Sequence, residues 1–364
     1  MVSFEEDCKS RFLDGFVEEG TPLPFLLSLL DLVVIEKHIE ETYYSDENRF
    51  HFNVGLMIRL TVLKAFRKLS FRKTVSSLTD DDCHYLKIPV INDEYLIPSA
   101  SALHHFVKER LGEDGFNDLM VRMASQIVRS KNEKQELIID STPLEASRYD
   151  NYADFNEHYK IKMDKAHILH WGDYPLLMIH STGNSYDGNY VLPLLKMTEN
   201  KKIPVSSAIL DGGYDSFSIH AHIWNYFNVH PLIQMRDNAV LHKEGTIPGI
   251  NKQINKMWKT GADVHDKIET KLKFLYENGQ PEKVGMYFRN QNILDPDFDM
   301  KCRTRSNCER KHSHIKNTVD FDIREIPNQS KNLYTLMKFV AYQILMLAHT
   351  QLKFEDLNCF RKYV

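Results

Sequence analysis

Arg305, Glu309 and Lys316 are separated by four and seven residues in a cationic run near the C-terminus. At about 100° per residue, such steps return to nearly the same side of an α-helix. The spacing predicts one carboxylate flanked by two phosphate-seeking cations, with Arg303, Arg310 and Lys311 thickening the positive field. Alone, the run reads as a solvated helix face. Two upstream apolar runs that stop on aspartate change its meaning: Leu137-Ile138-Ile139-Asp140 and Ala208-Ile209-Leu210-Asp211. Two strand-end aspartates and one helical glutamate form the donor set of a metal-dependent phosphodiester enzyme.

Ligands of open α/β sheets gather at the carboxyl ends of strands. If the two strands are neighbours, the carboxylates of Asp140 and Asp211 repel by roughly 4 kcal/mol at ~4 Å and an effective dielectric of about 20. Divalent cations remove that cost, and hard oxygen donors suit Mg²⁺ or Mn²⁺ better than zinc. Two such ions, about 3.5–4 Å apart, activate an attacking oxygen and stabilise a leaving one. Glu309 would complete the metal shell, while Arg305 and Lys316 grip neighbouring phosphates. Competing carboxylates have plainer readings. Asp215 caps the helix that starts at Ser216. Glu145, Asp150 and Asp154 lie in a polar, solvated loop, and Asp187 is a turn residue in Gly183-Asn184-Ser185-Tyr186-Asp187-Gly188. His167, His170 and His180 read as core or turn histidines. His312 and His314 rank below Arg305 and Lys316 as phosphate contacts.

The elements that must position these groups follow from periodicity. Up to about residue 135 the chain reads as helical: Phe25 to His38, Val54 to Lys68, a short helix capped by Ser70, another capped by Ser99 or Ser101 and stopped by Gly112, then Asp114 to Ser130. From Glu136 short apolar runs take over. Leu137–Ile139 is a buried-type strand, and Tyr159–Leu169 with Pro175–Ser181 is a hairpin. Val191–Met197 is a helix, Val205–Leu210 a strand, Ser216–Phe227 a helix and Pro231–Met235 a strand. Asp237 to Met300 interrupts the rhythm, with Lys271–Tyr276 and Lys283–Arg289 read as a second hairpin around Asn278-Gly279. Helices resume near Thr304, and Leu333 to Leu352 is strongly apolar on one face. The order describes an α/β sheet flanked by helices.

Composition sets the frame. The 364 residues, 42% hydrophobic, are enough for two or three soluble domains. The acidic opening Met1–Asp7 lacks the basic start of a secretory signal, and the apolar stretch Leu23–Ile35 is short for a bilayer and interrupted by Asp31. Five scattered cysteines without a C-x-x-C pair point to a reducing cytoplasm, with neither a zinc site nor a disulfide framework. The net charge of −4 is unevenly spread: residues 1–50 hold twelve acidic and four basic side chains. Leu56 to Thr79, by contrast, carries six cations (Arg59, Lys64, Arg67, Lys68, Arg72 and Lys73) and no anion. Of these, Arg67, Lys68, Arg72 and Lys73 are candidate DNA-phosphate contacts, against a solvated helix face. Trp258, between Lys256 and Lys259, is either a base-stacking residue or a buried tryptophan of a small β subdomain.

The motifs together resemble the DDE transposases of prokaryotic insertion sequences, in the insertion-sequence-4/5-like branch marked by a Tyr–Arg–Glu–Lys signature. Ile138-Ile139-Asp140-Ser141-Thr142 is similar to the first carboxylate block and Leu210-Asp211-Gly212-Gly213-Tyr214-Asp215-Ser216 to the second. Arg305, Glu309 and Lys316 fit the third without a shift, and Ile97 to Gly112 resembles the end of the family's N-terminal helical region. The signature's tyrosine falls at Cys302, whose thiol cannot stack or reach a phosphate as a phenol does. The resemblance implies an RNase H-like core bearing Asp140, Asp211 and Glu309 as catalytic metal ligands for two Mg²⁺ or Mn²⁺ ions. It implies a helical DNA-binding domain over 1–135, core over 136–237, a β-containing insertion over 238–300, and the last core helices over 301–364. The activity implied is cut-and-paste transposition on double-stranded DNA, at terminal inverted repeats and at a target, by a homodimer in a prokaryotic cytoplasm without membrane association. A silent repeat-binding repressor and an RNase H-like nuclease without strand transfer are the alternative readings.

Overall fold

Residues 23–44, 51–198, 203–235, 238–257, 267–321 and 328–351 are described by the structure, a computed structural model. The chain forms two compact units, one of Met1–Lys131, Leu144–Met163 and His312–Val364, the other of Asn132–Pro143 and Asp164–Lys311.

The first unit opens with α1 (Leu23–Ser28), α2 (Val33–Tyr43) and α3 (Val54–Phe66). The single helix expected over Phe25–His38 is broken, because Ser28 donates back to the carbonyl of Phe25 and Asp31 Oδ1 accepts the Val33 N–H that restarts the chain. Next come α4 (Phe71–Ser76) and α5 (Asp80–Tyr85), a small hairpin of β1 (Val90–Ile91) and β2 (Glu94–Tyr95), then α6 (Ala100–His105) and α7 (Gly112–Lys131). Ser70 and Ser99 cap α4 and α6 as their positions predict, accepting the N–H groups of Lys73 and Ala102. Near the other end of the chain, α15 (Asn328–Gln351) packs on α7 and α3. Leu60, Leu63, Met120, Met123, Phe339 and Val340 are buried there, and Gln343 donates to the Met120 carbonyl at 3.1 Å.

Asp150 belongs to this unit and is not solvated as expected: it is 1% exposed and ion-paired with Lys331, itself fully buried. Burial pushes the Asp150 carboxyl up, but Lys331 and the N–H groups of Tyr152 and Ala153 outweigh it and hold it below the ordinary carboxylate range. Its contribution to stability is therefore present above that range and is lost as pH falls through the lowered pKa.

The second unit is built on a mixed sheet. Its strands are β3 (Gln135–Glu145), β5 (Ile161–Trp171), β6 (Tyr174–Thr182), β7 (Val205–Leu210) and β8 (Pro231–Ile233). In the first unit a short β4 (Asp154–Asn156) pairs with Ile161 to Met163, the first residues of β5. The order is β4-β5-β3-β7-β8, with β6 paired to β5. Leu137, Ile138, Ile139, Ala208, Ile209 and Leu210 are all buried, which is why β3 and β7 read as continuous apolar runs. They pair in parallel, as do β7 and β8. The β5–β6 hairpin expected from the sequence forms around Gly172, whose φ of +57° suits glycine. Two helices lie between these strands, α8 (Val191–Thr198) ahead of β7 and α9 (Phe217–Phe227) between β7 and β8.

Where a second β-hairpin was expected, the chain is helical. After α10 (Ile247–Met257) come α11 (Ile268–Glu277) and α12 (Pro281–Leu294). The alternation in Lys271-Leu272-Lys273-Phe274 is overridden because Leu272 with Leu275, and Val284 with Phe288, bury together at helical spacing against Ala221, Trp224, Ile250 and Ile254. Asn278-Gly279 is a helix stop rather than a hairpin turn: Gly279 has φ +74°, its N–H bonds the Tyr276 carbonyl, and the Gln280 N–H bonds that of Leu275. Pro281 then starts α12. Gly285 admits no side chain, since a Cβ there would meet the Phe217 carbonyl oxygen of α9 at 1.8 Å. The last elements are α13 (Phe298–Lys301), a 3₁₀ turn over Arg303–Ser306, and α14 (Asn307–Val319).

Replacing one member of the buried pair of the first unit leaves an uncompensated charge. Lys331→Met is expected to lower stability in urea unfolding by about 3–5 kcal/mol, and the added Asp150→Asn change to recover most of the loss.

Candidate active site

Parallel pairing of β3 with β7 sets Ile139 opposite Leu210, so the next residues along the two strands are Asp140 and Asp211. Neighbouring strands lie about 4.8 Å apart, which brings the two carboxylates side by side. Asp211 ends its strand as expected, and a 3₁₀ turn over Gly212–Tyr214 follows it. Asp140 does not end its strand: β3 runs on to Glu145.

Asp140 is largely withdrawn from water. Burial pushes its carboxyl above the ordinary range, and the charge of Asp211 adds to this. The Cys308 thiol, the backbone N–H of Ser141 and the positive charge of Arg305 oppose the rise without cancelling it. Cys308 lies in the first turn of α14, fully buried, and donates to Asp140 Oδ2 at 3.1 Å. Burial and the Asp140 charge push that thiol up to about 12, so it stays protonated as a donor. Arg305 is the cation of the cluster, with Nη1 3.3 Å from Asp211 Oδ1.

The structure treats the remaining expected site residues unequally. Arg305 does not share an α-helix with Glu309 and Lys316. It sits in the 3₁₀ turn, where its N–H bonds the Cys302 carbonyl and the tighter pitch breaks the 100° progression. Glu309, exposed in the first turn of α14, follows Cys308 and is close enough to help hold its thiol protonated. Among the described residues, no three His, Cys, Asp or Glu side chains are grouped so as to hold a metal ion. Asp140 and Asp211 fit a hard divalent cation by donor type and mutual repulsion, and Glu309 stands one residue beyond the Cys308 that bonds Asp140.

Lys316 belongs to the first unit and is half-buried. Arg303 and Arg310 are exposed. Lys311 is engaged with the β5–β6 turn, ion-paired with Asp173 at 3.1 Å and donating to the Gly172 carbonyl. Of the N-terminal cations, Arg67 pairs with buried Asp82 at 2.9 Å and Lys68 donates to the Asn317 carbonyl at 3.3 Å, while Arg72 and Lys73 are exposed on α4. His314 bonds the Tyr342 hydroxyl at 2.6 Å, and His312 is buried. Trp258 lies outside the described residues. Cys302 packs with Met235 against the apolar cluster of Ile138, Ile209, Leu232, Phe298 and Cys308.

Asp215 is not the cap of α9, a role taken by Ser216, which accepts the Ile219 N–H. Arg289 of α12 donates Nε–H to both Asp215 oxygens, at 3.0 and 3.1 Å, and His220 lies 3.3 Å away. Burial raises the Asp215 carboxyl, yet His220 and Arg289 together hold it below the ordinary range. Sequence reasoning missed this tie and the Cys308 thiol alike. Only the position of Cys308, one residue ahead of the acidic candidate, hinted at it.

A family model described as a transposase DDE domain matches residues 131–342, more than half of the chain, and the chain belongs to that family. No curated protein and no solved structure matches it. Among the described residues, no helix is long and apolar enough to cross a membrane.

A carboxyl raised by burial favours its protonated form in the fold, so its ionisation weakens the fold as pH rises through and above the ordinary carboxylate range. Asp140→Asn is accordingly expected to raise the melting temperature of the metal-free protein at neutral pH in calorimetry, and the gain should vanish in acid below that range.

Proposed function

We propose that this chain is a transposase that binds the terminal repeats of a mobile element, cleaves DNA there with a divalent metal cofactor and transfers the freed strand to a target duplex. The observation that carries this reading is the pair Asp140 and Asp211, brought side by side by parallel strands within a transposase DDE domain. In this reading the mixed sheet with its flanking helices is an RNase H-like core, and the helices over 247–294 are its insertion.

Asp140 and Asp211 would hold the cation, Mg²⁺ or Mn²⁺ by the hardness of their oxygens, with Glu309 as the third carboxylate. When bound, such ions activate the attacking oxygen and stabilise the leaving oxygen of a phosphodiester. The chain's own groups prepare the site. Cys308 holds Asp140 Oδ2 by a protonated thiol. Arg305, now paired with Asp211, has the planar fork that suits a phosphate once Asp211 is engaged elsewhere. Arg303 and Arg310 extend the positive field toward the strand, and in the first unit Lys316 and exposed Arg72 and Lys73 contact DNA phosphates. Two ends must be brought together for transposition, so a homodimer on DNA belongs to the reading.

The decisive test is cleavage of the element's own ends by the purified chain in Mg²⁺ or Mn²⁺, followed by joining to a second duplex. Asp140→Asn, Asp211→Asn and Glu309→Gln should each reduce cleavage by about a thousandfold or more, roughly 4 kcal/mol of transition-state stabilisation, and leave DNA binding largely intact. Chelation with EDTA should abolish cleavage, and added metal restore it. Binding without cleavage in the unaltered chain would favour a repressor instead, and cleavage without joining a nuclease.

A further inference from the structure

Next to the aspartate pair, a set of polar side chains from β3, β5 and β6 closes around Asp187, the residue that the sequence marks only as part of a turn. Asp187 Oδ2 accepts from the Ser141 hydroxyl at 2.8 Å, and Oδ1 accepts from Lys165 Nζ at 2.8 Å. Lys165 donates also to the Ser185 carbonyl at 3.0 Å, which ties it to the loop that carries Asp187. His167, two residues along the same face of β5, has Nδ1 3.9 Å from Asp187. Its Nε2 lies 2.7 Å from the Ser181 hydroxyl, and its ring stacks on Tyr190 at 4.0 Å. Every one of these residues belongs to the second unit.

Three features set Asp187 apart from a core polar residue placed at random. Both its oxygens are engaged, one by Ser141 and one by Lys165, which also matches its charge. Its partner Ser141 directly follows Asp140, so the bond from Ser141 anchors the strand at the first candidate ligand. The buried Tyr214 phenol, held well above its ordinary pKa by burial and by the charges of Asp140, Asp187 and Asp211, lies within the influence of all three carboxylates. Groups that orient ligands in this way make a site preformed rather than assembled on binding.

We infer that Asp187 is a positioning residue which, through Ser141 and Lys165, fixes β3 at Asp140 so that Asp140 and Asp211 present a preformed divalent-cation site. The inference rests on the metal-dependent reading above. It is tested by titrating Mn²⁺ into the full chain and following the free-ion electron paramagnetic resonance signal, at a temperature where circular dichroism shows each variant folded. Asp187→Asn and Ser141→Ala are each expected to weaken Mn²⁺ binding by about tenfold or more. Combined, they should weaken it no further than Asp187→Asn alone, because the Ser141 bond acts through Asp187 and is disturbed in both. Ser141→Thr, which keeps the hydroxyl, should bind as the unaltered chain does, a rescue that a merely structural role would not give. If Asp187→Asn does not fold, the contrast between Ser141→Ala and Ser141→Thr decides alone.

Unchanged Mn²⁺ affinity in Asp187→Asn, with binding intact in the unaltered chain, overturns the inference and leaves the metal-dependent reading standing. Multiplying effects of the two substitutions overturn it likewise. Absence of any Mn²⁺ site in the unaltered chain overturns both.

Discussion

The parallel register between β3 and β7 is the constraint on which the rest depends. A shift of one residue would turn Asp140 to the other face of the sheet and leave Asp211 alone. The register is secured by burial, because Leu137, Ile138 and Ile139 and their partners Ala208, Ile209 and Leu210 all lose their surface to the interior. The same burial withdraws Asp140 from water, so the forces that position the carboxylate also make it costly to ionise. Stability and chemistry are opposed at this one residue, as is common at functional sites.

The compensation is local and comes from distant parts of the sequence. Cys308 gives Asp140 a neutral donor, Arg305 gives Asp211 a counter-charge, and Arg289 with His220 neutralises Asp215. Cys308, Arg305 and Arg289 each reach their acid across a long gap in sequence, whereas His220 lies only five residues beyond Asp215. Asp140, Tyr214 and Cys308, all pushed upward chiefly by burial, lie around the two aspartates, where burial and mutual charge act together.

That division explains what the sequence made legible. Strands with covered faces announce themselves as apolar runs, so β3 and β7 and the aspartates that follow those runs stood out, as did the β5–β6 hairpin and the serine caps of α4 and α6. The segment over residues 268–294 did not. Leu272, Phe274 and Tyr276 alternate as in a strand while Leu272 with Leu275 keeps a helical step, and only the apolar partners on α9 and α10 decide for helix. Asp150 and Asp187 read as solvated or turn residues because their partners, Lys331 and the pair Lys165 and Ser141, are remote in sequence. The 3₁₀ turn that separates Arg305 from α14 was equally hidden, since residue spacing alone cannot report a change of helical pitch.

The tie between Arg289 and Asp215 bears on how such a chain can be re-engineered. Arg289 grips both oxygens of an aspartate four residues beyond Asp211, while the backbone of α12 presses on α9 at Gly285 with no room for a methyl group. The helical segment is therefore a keystone rather than an appendage. A graft that exchanged it for the corresponding piece of a relative would have to bring its own brace for the turn after Asp211, or the swapped chimera would lose the geometry of a site that the exchanged residues never touch.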